Sequence, residues 1–267
     1  MAENNQEYLA AAIATARVAG EVLLDHQRRG FAVSSKAHRI DLVTDADRAS
    51  EALVVEELQR RFPGHPILAE EGGERAGSGD HRWIVDPLDG TTNFAHGYPF
   101  YCVSIGLEVA GRLEVGVVTA PALGETFTGT RGGGAYLHMA DGTQPRLRVS
   151  AVADLSQALL VTGFPYDIAD RGDGPFTLFR RLVLAAQAVR RDGSAALDLC
   201  YLAAGRFDGF WEANLKPWDL AAGTLIAAEA GAWFSDYGGH EFTIDGTEII
   251  ASNGLLHASM VSTINTP

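Results

Sequence analysis

The chain has 267 residues, 46% of them hydrophobic, and 21 Lys and Arg against 34 Asp and Glu give a net charge of −13. Mean hydropathy is +0.01, enough apolar material for a sizeable core, yet no run reaches the roughly 18–20 apolar residues of a membrane helix. The acidic balance excludes a general nucleic-acid or anionic-membrane surface. An anionic small substrate stays open, because bound cations reverse the local field.

The N-terminus, MAENNQEY, lacks the basic and apolar stretches of a signal peptide. The two cysteines, Cys102 and Cys200, sit in apolar surroundings and read as buried, reduced thiols, which fits a cytoplasmic protein.

In chain order, an Ala-, Leu- and Val-rich amphipathic helix is expected over 6–29, stopped by Gly30. A short hairpin follows over 31–44, with the polar tip Ser34-Ser35-Lys36-Ala37-His38. A second helix spans 45–61, opened by Thr44-Asp45-Ala46-Asp47 in the pattern of a capping box. Residues 67–69 form a short strand delivering Glu70 and Glu71, and the charged, Gly-rich stretch 72–82 reads as a mobile loop. Trp83-Ile84-Val85 is a buried strand. Further strands are expected over 102–109, 113–120 and 125–130, then a glycine turn at 132–134.

The second half gives a strand at 158–162, a turn at 163–166 and a helix over 176–189 broken by Arg190-Arg191-Asp192-Gly193. A helix over 194–204, a strand at 208–212, an apolar helix over 219–230 and late strands at 233–235 and 249–251 complete it. Long helices mixed with sheet strands indicate a layered α/β or α+β sandwich, of which we take α+β. We read one unit, 1–267, with subregions 1–145 and 146–267.

The chemistry concentrates where strands end. Trp83-Ile84-Val85 runs into Asp86-Pro87-Leu88-Asp89-Gly90-Thr91-Thr92-Asn93. Pro87 stops the strand, and Gly90 permits a tight turn into a short helix. Two carboxylates so close repel unless a cation lies between them. Glu70 and Asp219 join them at a predicted strand end and helix start. No His or Cys cluster accompanies these acids, and an all-oxygen set favours a hard cation, Mg²⁺ above all where phosphate adds ligands. Individually the signals are ordinary: Asp47 and Asp219 can be helix caps, and Glu70 a solvated loop end. Gly90-Thr91-Thr92 and Gly193-Ser194-Ala195 each place glycine and hydroxyl at a helix start, a ready phosphate cradle. His96, the histidine nearest the acidic motif, reads as a surface-loop residue.

The sequence resembles the inositol monophosphatase family of metal-dependent, lithium-sensitive sugar phosphatases. The resemblance rests on WIVDPLDGTTNF at 83–94 and WDLAAGTLIAAEAG at 218–231. DLVTDAD at 41–47, LAEE at 68–71 and RDGSAALDL at 191–199 support it, all in the family's order. It implies an α-β-α-β-α sandwich of the sugar-phosphatase kind and a homodimer. It implies that Glu70, Asp86 and the Leu88 carbonyl hold one Mg²⁺, and that Asp86, Asp89 and Asp219 hold a second, with a third, weaker ion near Glu70. Thr91, bonded to Asp47, would position and help deprotonate the attacking water, with Glu70 in the catalytic set. Asp89, Gly90, Thr91 and Asp219 would meet the phosphate end, and Gly193, Ser194, Ala195 and Glu212 the polyol. Lys36 falls on the family's flexible hairpin.

The activity implied is release of phosphate from a small phosphorylated polyol or sugar, inositol monophosphate first. Two divalent ions about 3.5–4 Å apart would clamp attacking and leaving oxygens in an in-line displacement. Histidinol phosphate and broader sugar phosphates, including fructose 1,6-bisphosphate, are the alternatives, because Glu212 can face a hydroxyl or an amine. A protein that kept the fold for binding or regulation is a further one. The aspartyl-nucleophile motif of haloacid-dehalogenase-type phosphatases fits poorly: Asp86 and Asp89 stand three apart rather than two, with Pro87 between. Neither a nucleic-acid nor a membrane partner is expected.

Overall fold

The computed structural model describes residues 2–36 and 38–266; Ala37, at the expected hairpin tip, lies outside them. The elements run α1 (Ala2–Arg29), β1 (Val33–Ser35), β2 (Leu42–Thr44), α2 (Asp45–Arg61), β3 (Ile67–Ala69), β4 (Gly73–Arg75), β5 (His81–Asp89) and α3 (Thr91–Ala95). Then come β6 (Cys102–Val109), β7 (Arg112–Ala120), β8 (Glu125–Thr130), β9 (Gly134–Met139), β10 (Leu159–Thr162), α4 (Gly174–Ala185) and β11 (Ala188–Arg190). The chain closes with α5 (Ala195–Ala203), β12 (Gly209–Ala213), α6 (Pro217–Glu229), β13 (Trp233–Ser235), β14 (Glu248–Ser252) and α7 (His257–Ile264).

These elements stack in five layers. A seven-stranded sheet of order β4-β3-β5-β6-β7-β8-β9 and a five-stranded sheet of order β11-β10-β12-β14-β13 are the two β layers, and β1 pairs with β2 separately. Helices α1 and α2 cover the outer face of the large sheet, α5 and α6 lie between the sheets, and α4 and α7 cover the small one. Each interface has its own apolar core. On α1, Ala12, Ala16, Ala19 and Leu23 are fully buried, the three-to-four spacing of one helix face. The α+β class and the layered sandwich are as expected.

Helix α6 reaches the site because the large sheet makes room for it. Gly106, Gly116 and Gly129 pair in a row across β6, β7 and β8. A Cβ on Gly116 would lie 2.7 Å from the Ala222 carbonyl oxygen, and one on Gly106 2.9 Å from the Ala221 Cβ. Only glycine lets the backbone of α6 come this close.

The structure departs from the sequence reading in five places. Pro87 does not stop its strand: β5 runs through it to Asp89, because the proline sits where the pairing with β6 slips and no ladder N–H is needed. The stretch 72–82 contains β4 and the start of β5 rather than only a loop. The glycine turn continues directly into β9. The helix expected over 176–189 is α4, ending at Ala185, and Ala188–Arg190 extends as edge strand β11, parallel to β10. Sheet pairing overrides a sequence that reads helical there. Helix α7, unassigned from sequence, buries Met260 and Ile264.

Candidate active site

Strand β5 enters the site with a slip. Its pairing with β6 matches Asp86 to Ser104 but Asp89 to Cys102, so the register breaks across Pro87 and Leu88. Residues three apart on a regular strand face opposite sides. The irregularity lets Asp86 and Asp89 line one cavity, of about 510 Å³, together with Glu70 and Asp219. Gly90 then takes a left-handed turn (φ +93°) into α3.

From the outer layer, α2 braces this end. Thr44 caps α2, and its backbone N–H and hydroxyl donate to Asp47 Oδ2 at 2.8 and 2.6 Å. The expected capping box is therefore present, and Asp47 is also fully buried against the site. Thr91 Oγ1 lies 3.0 Å from Asp47 Oδ1 and 3.1 Å from the Leu88 carbonyl oxygen. Burial pushes the Asp47 carboxyl up, and the bonds from Thr44 and Thr91 hold it down. Ser50 Oγ donates to the Pro87 carbonyl at 2.8 Å, and Glu51 accepts from the Glu71 N–H at 2.8 Å.

The four carboxylates sit in an unbalanced field. Asp86 shares the cavity lining with Glu70, Asp89 and Asp219. Burial, then repulsion from Glu70, Asp89 and Asp219, pushes the Asp86 carboxyl well above its usual range. Burial outweighs Lys36 at Glu70, pushed up to about 7. At Asp89 it outweighs the bonds from α5, leaving that group at about 6. Asp219 is driven up by burial and by Asp89.

One cation meets this cluster from the β1–β2 hairpin. Lys36 Nζ lies 2.6 Å from Glu70 Oε1 and also pairs with Glu71. Burial works against the Lys36 charge, but the two glutamates outweigh it and hold the ammonium above its usual range.

Among the described residues, no three His, Cys, Asp or Glu side chains already converge as a closed metal site. Several of their oxygens are otherwise engaged. Lys36 holds Glu70, the Lys216 N–H donates to Asp219 Oδ2 at 2.7 Å, and α5 takes Asp89 Oδ2. The donor set nonetheless fits a hard divalent cation. It is all oxygen and mutually repelling, and among the described residues Lys36 alone forms an ion pair with it.

Facing this cluster is the start of α5. Gly193, Ser194 and Ala195 line the cavity, but the Ser194 hydroxyl donates to Asp89 Oδ2 at 2.7 Å. That bond takes its one hydrogen, and its oxygen keeps acceptor capacity toward the cavity. Glu212, at the end of β12, is buried and lines the cavity. Its carboxyl sits where a Cβ on Gly163 would be. Burial and repulsion from Asp219 and Asp89 push it up to about 8, against Arg191. His96 is exposed and outside the cavity, as a surface-loop residue would be. Cys102 and Cys200 are free, buried thiols.

Tyr166, Arg171, Arg191 and Asn214 also line the cavity, and the sequence reading gave none of them a role. Tyr166, on the turn after β10, is 48% exposed, and partial desolvation at the cavity mouth together with the nearby Glu70, Asp219, Asp41 and Asp89 carboxylates raises its phenol. Arg171 pairs with Asp167 through two bonds of 2.6 and 2.7 Å. Asn214 has φ +62°, a left-handed backbone at the end of β12. An asparagine just past an expected strand end is the local signal for such a turn, because Asn enters the left-handed region more readily than most residues.

The fold and the acidic cavity define a chain of the inositol monophosphatase family, whose family model matches residues 4–266; the chain belongs to that family. It is 44% identical over 266 residues to the Nus factor SuhB of Pseudomonas aeruginosa, covering 97% of this chain and 96% of that one. It is 44% identical over 230 residues to an inositol-1-monophosphatase of Mesorhizobium japonicum, covering 85% and 84%. The solved inositol monophosphatase of Anabaena superposes with a TM-score of 0.86 at 40% identity, covering 98% of this chain and 96% of that structure. No helix among the described residues is long and apolar enough to cross a membrane.

Proposed function

We propose that this chain is a Mg²⁺-dependent phosphomonoesterase whose first substrate class is inositol monophosphate. The observation that carries the reading is the placement of Thr91, bonded to buried Asp47, beside four carboxylates that line one cavity. Glu70, Asp86 and the Leu88 carbonyl would hold one cation, and Asp86, Asp89 and Asp219 a second, with a third near Glu70. When bound, such ions neutralise the phosphoryl group and lower the pKa of water. The residues of the chain then do the following work. Thr91 Oγ1 orients the incoming water and takes its proton toward Asp47 Oδ1, which Thr44 holds in place. The first N–H groups of α3, from Gly90 and Thr91, have no partner within the helix and face the phosphate. Gly193, Ser194, Ala195 and Glu212 meet the polyol, Glu212 as hydrogen-bond acceptor.

In this reading the chain acts as one unit, in which 1–145 supplies most of the charged machinery and 146–267 the polyol wall and Asp219. Homodimer formation, lithium inhibition and a cytoplasmic location belong to the same reading. The experiment is phosphate release from inositol 1-phosphate, fructose 1,6-bisphosphate, histidinol phosphate and 3′-phosphoadenosine 5′-phosphate, each with Mg²⁺, with EDTA, and with Mg²⁺ plus Li⁺. Mg²⁺-dependent, Li⁺-sensitive release that favours inositol 1-phosphate supports the proposal. Preference for histidinol phosphate keeps the mechanism and changes the substrate.

A second reading draws on the name of the Pseudomonas aeruginosa relative, Nus factor SuhB. A chain of this fold can serve as a factor for other macromolecules with or without turnover. Negligible release from all four substrates, together with a stable macromolecular complex, would favour it.

A further inference from the structure

Asn93 belongs to the acidic motif, yet the chemistry above gives it no part. It lies on α3, and its Nδ2 donates to the carbonyl oxygens of Phe100 and Asp192 at 2.7 Å each. The Gly193 carbonyl oxygen lies 3.4 Å from the same nitrogen. An amide NH₂ carries two hydrogens, so both short bonds form at once. One side chain thereby ties together α3, the stretch leading into β6, and the turn before α5.

That meeting is tight. A Cβ on Gly90 would lie 3.0 Å from the Phe100 carbonyl oxygen and 3.3 Å from that of Gly193. A Cβ on Gly193 would lie 3.3 Å from Asn93 Nδ2. Both glycines are left-handed, at φ +93° and +84°, which a side chain would oppose in either case. Carbonyl oxygens brought together need a donor between them, and Asn93 supplies it. The donor is itself held: the Tyr98 N–H bonds the Asn93 carbonyl at 2.9 Å, and Gln27 Nε2 bonds the neighbouring Phe94 carbonyl at 2.7 Å.

We propose that Asn93 is a positioning residue that sets the leaving-group wall of the cavity. It fixes the 192–193 turn, and with it Gly193 to Ala195, at a set distance from the phosphate end at α3. Asn93 does not line the cavity, whereas Gly193, Ser194 and Ala195 do. The inference rests on the phosphatase reading. A second tie between the same parts, Asp89 to Ser194 and Ala196, belongs to the carboxylate cluster. Loss of Asn93 therefore loosens the wall while the acidic end keeps its own support.

The test compares wild type with Asn93→Ala and Asn93→Ser, with Mg²⁺ present. Three quantities are read: KM and kcat for inositol 1-phosphate, the inhibition constant of inorganic phosphate, and backbone hydrogen exchange. Inorganic phosphate has no leaving group, and in the phosphatase reading it is held at the α3 end. The expected result is a KM raised about tenfold in Asn93→Ala, the worth of a lost hydrogen bond, and less in Asn93→Ser. The phosphate constant stays within about twofold, and exchange rises at 192–196 but not at 83–89. A KM within about twofold of wild type overturns the proposal. So does a KM that rises in step with the phosphate constant, or failure of both variants to fold, since each makes Asn93 a general structural residue. If wild type itself releases no phosphate, the phosphatase reading fails. Exchange then judges the holding role alone, and unchanged exchange at 192–196 overturns it.

Discussion

The Asp89 carboxylate, at the end of β5, caps a helix that starts over a hundred residues further on. Its Oδ2 accepts from the Ala196 N–H and from Ser194 Oγ, at 2.7 Å each. Ser194 stands at the N-cap of α5 but makes no capping bond of its own, so Asp89 supplies what the local sequence lacks. The same residue is thus a proposed metal ligand and the join between the two layers that enclose the cavity.

Asp89→Asn keeps an oxygen for Ala196 and Ser194 but removes the charge. Its melting temperature should stay near that of wild type while Mg²⁺-dependent phosphate release becomes negligible. Asp89→Ala removes the cap as well and should cost about 1–2 kcal/mol of stability. Paired thermal melts and turnover assays separate the two effects; near-normal turnover in Asp89→Asn would sink the two-metal assignment.

Thr91→Val keeps the shape of the side chain and deletes the hydroxyl that reaches Asp47. Turnover should fall by about 10²–10⁴-fold, the usual size of a lost proton-transfer partner, with Mg²⁺ binding by calorimetry nearly unchanged. Thr91→Ser should recover most of the rate. Equal losses in the two variants would assign the effect to packing.

The acidic cluster makes its own prediction for metal removal. In EDTA, Asp86→Asn should melt higher than wild type, because it relieves the repulsion around Asp86. Mg²⁺ should then stabilise wild type, by about 2.7 kcal/mol at a hundredfold excess over Kd, and should leave Asp86→Asn almost unmoved. A wild-type melt indifferent to Mg²⁺ would count against a cation site.

Gly116→Ala tests the seat of α6. The new Cβ would meet the Ala222 carbonyl at 2.7 Å, and backbone on both sides has little room to yield. A loss of about 1–3 kcal/mol is expected from the overpacking, with turnover reduced because α6 carries Asp219. Denaturant unfolding and phosphate release measure the two together.

Acid should weaken the fold through half-buried histidines. Burial lowers His65, helped by His81, whose ring stacks on it at 4.7 Å; burial also lowers His138 and His257. The unfolded chain therefore binds these protons more readily than the folded one. Their contribution to stability is full above the ordinary histidine range, near pH 6.5, and declines as pH falls below it. His65→Gln should flatten the fall in melting temperature between about pH 7 and pH 5; an unchanged slope would rule His65 out as a contributor.

Much of this was legible in the residues. Thr44 to Asp47 announced a capping box, and the cap formed as written, because its bonds close within three residues. The motif around Asp86 and Asp89, with Glu70 and Asp219 at element ends, named the acids that now share one cavity. Local chemistry also foretold the left-handed turn at Gly90. Strand β11 was not legible, because an edge strand exists only where β10 offers a partner, and its own residues favour a helix. Asn93 carried no local signal either, since the carbonyls it serves belong to segments elsewhere in the chain.

The sequence by itself determined most of the elements, the capping box, the chemistry of the donor set and the family, all consequences of side-chain type and short spacing. Tertiary structure alone decided which oxygen of each acid is spent on the fold, that Lys36 pairs with Glu70 and Glu71, and that Ser194 serves Asp89. It also decided that glycines across β6, β7 and β8 admit α6. Those outcomes depend on distances between segments far apart in the chain, which burial and packing set and no local pattern encodes.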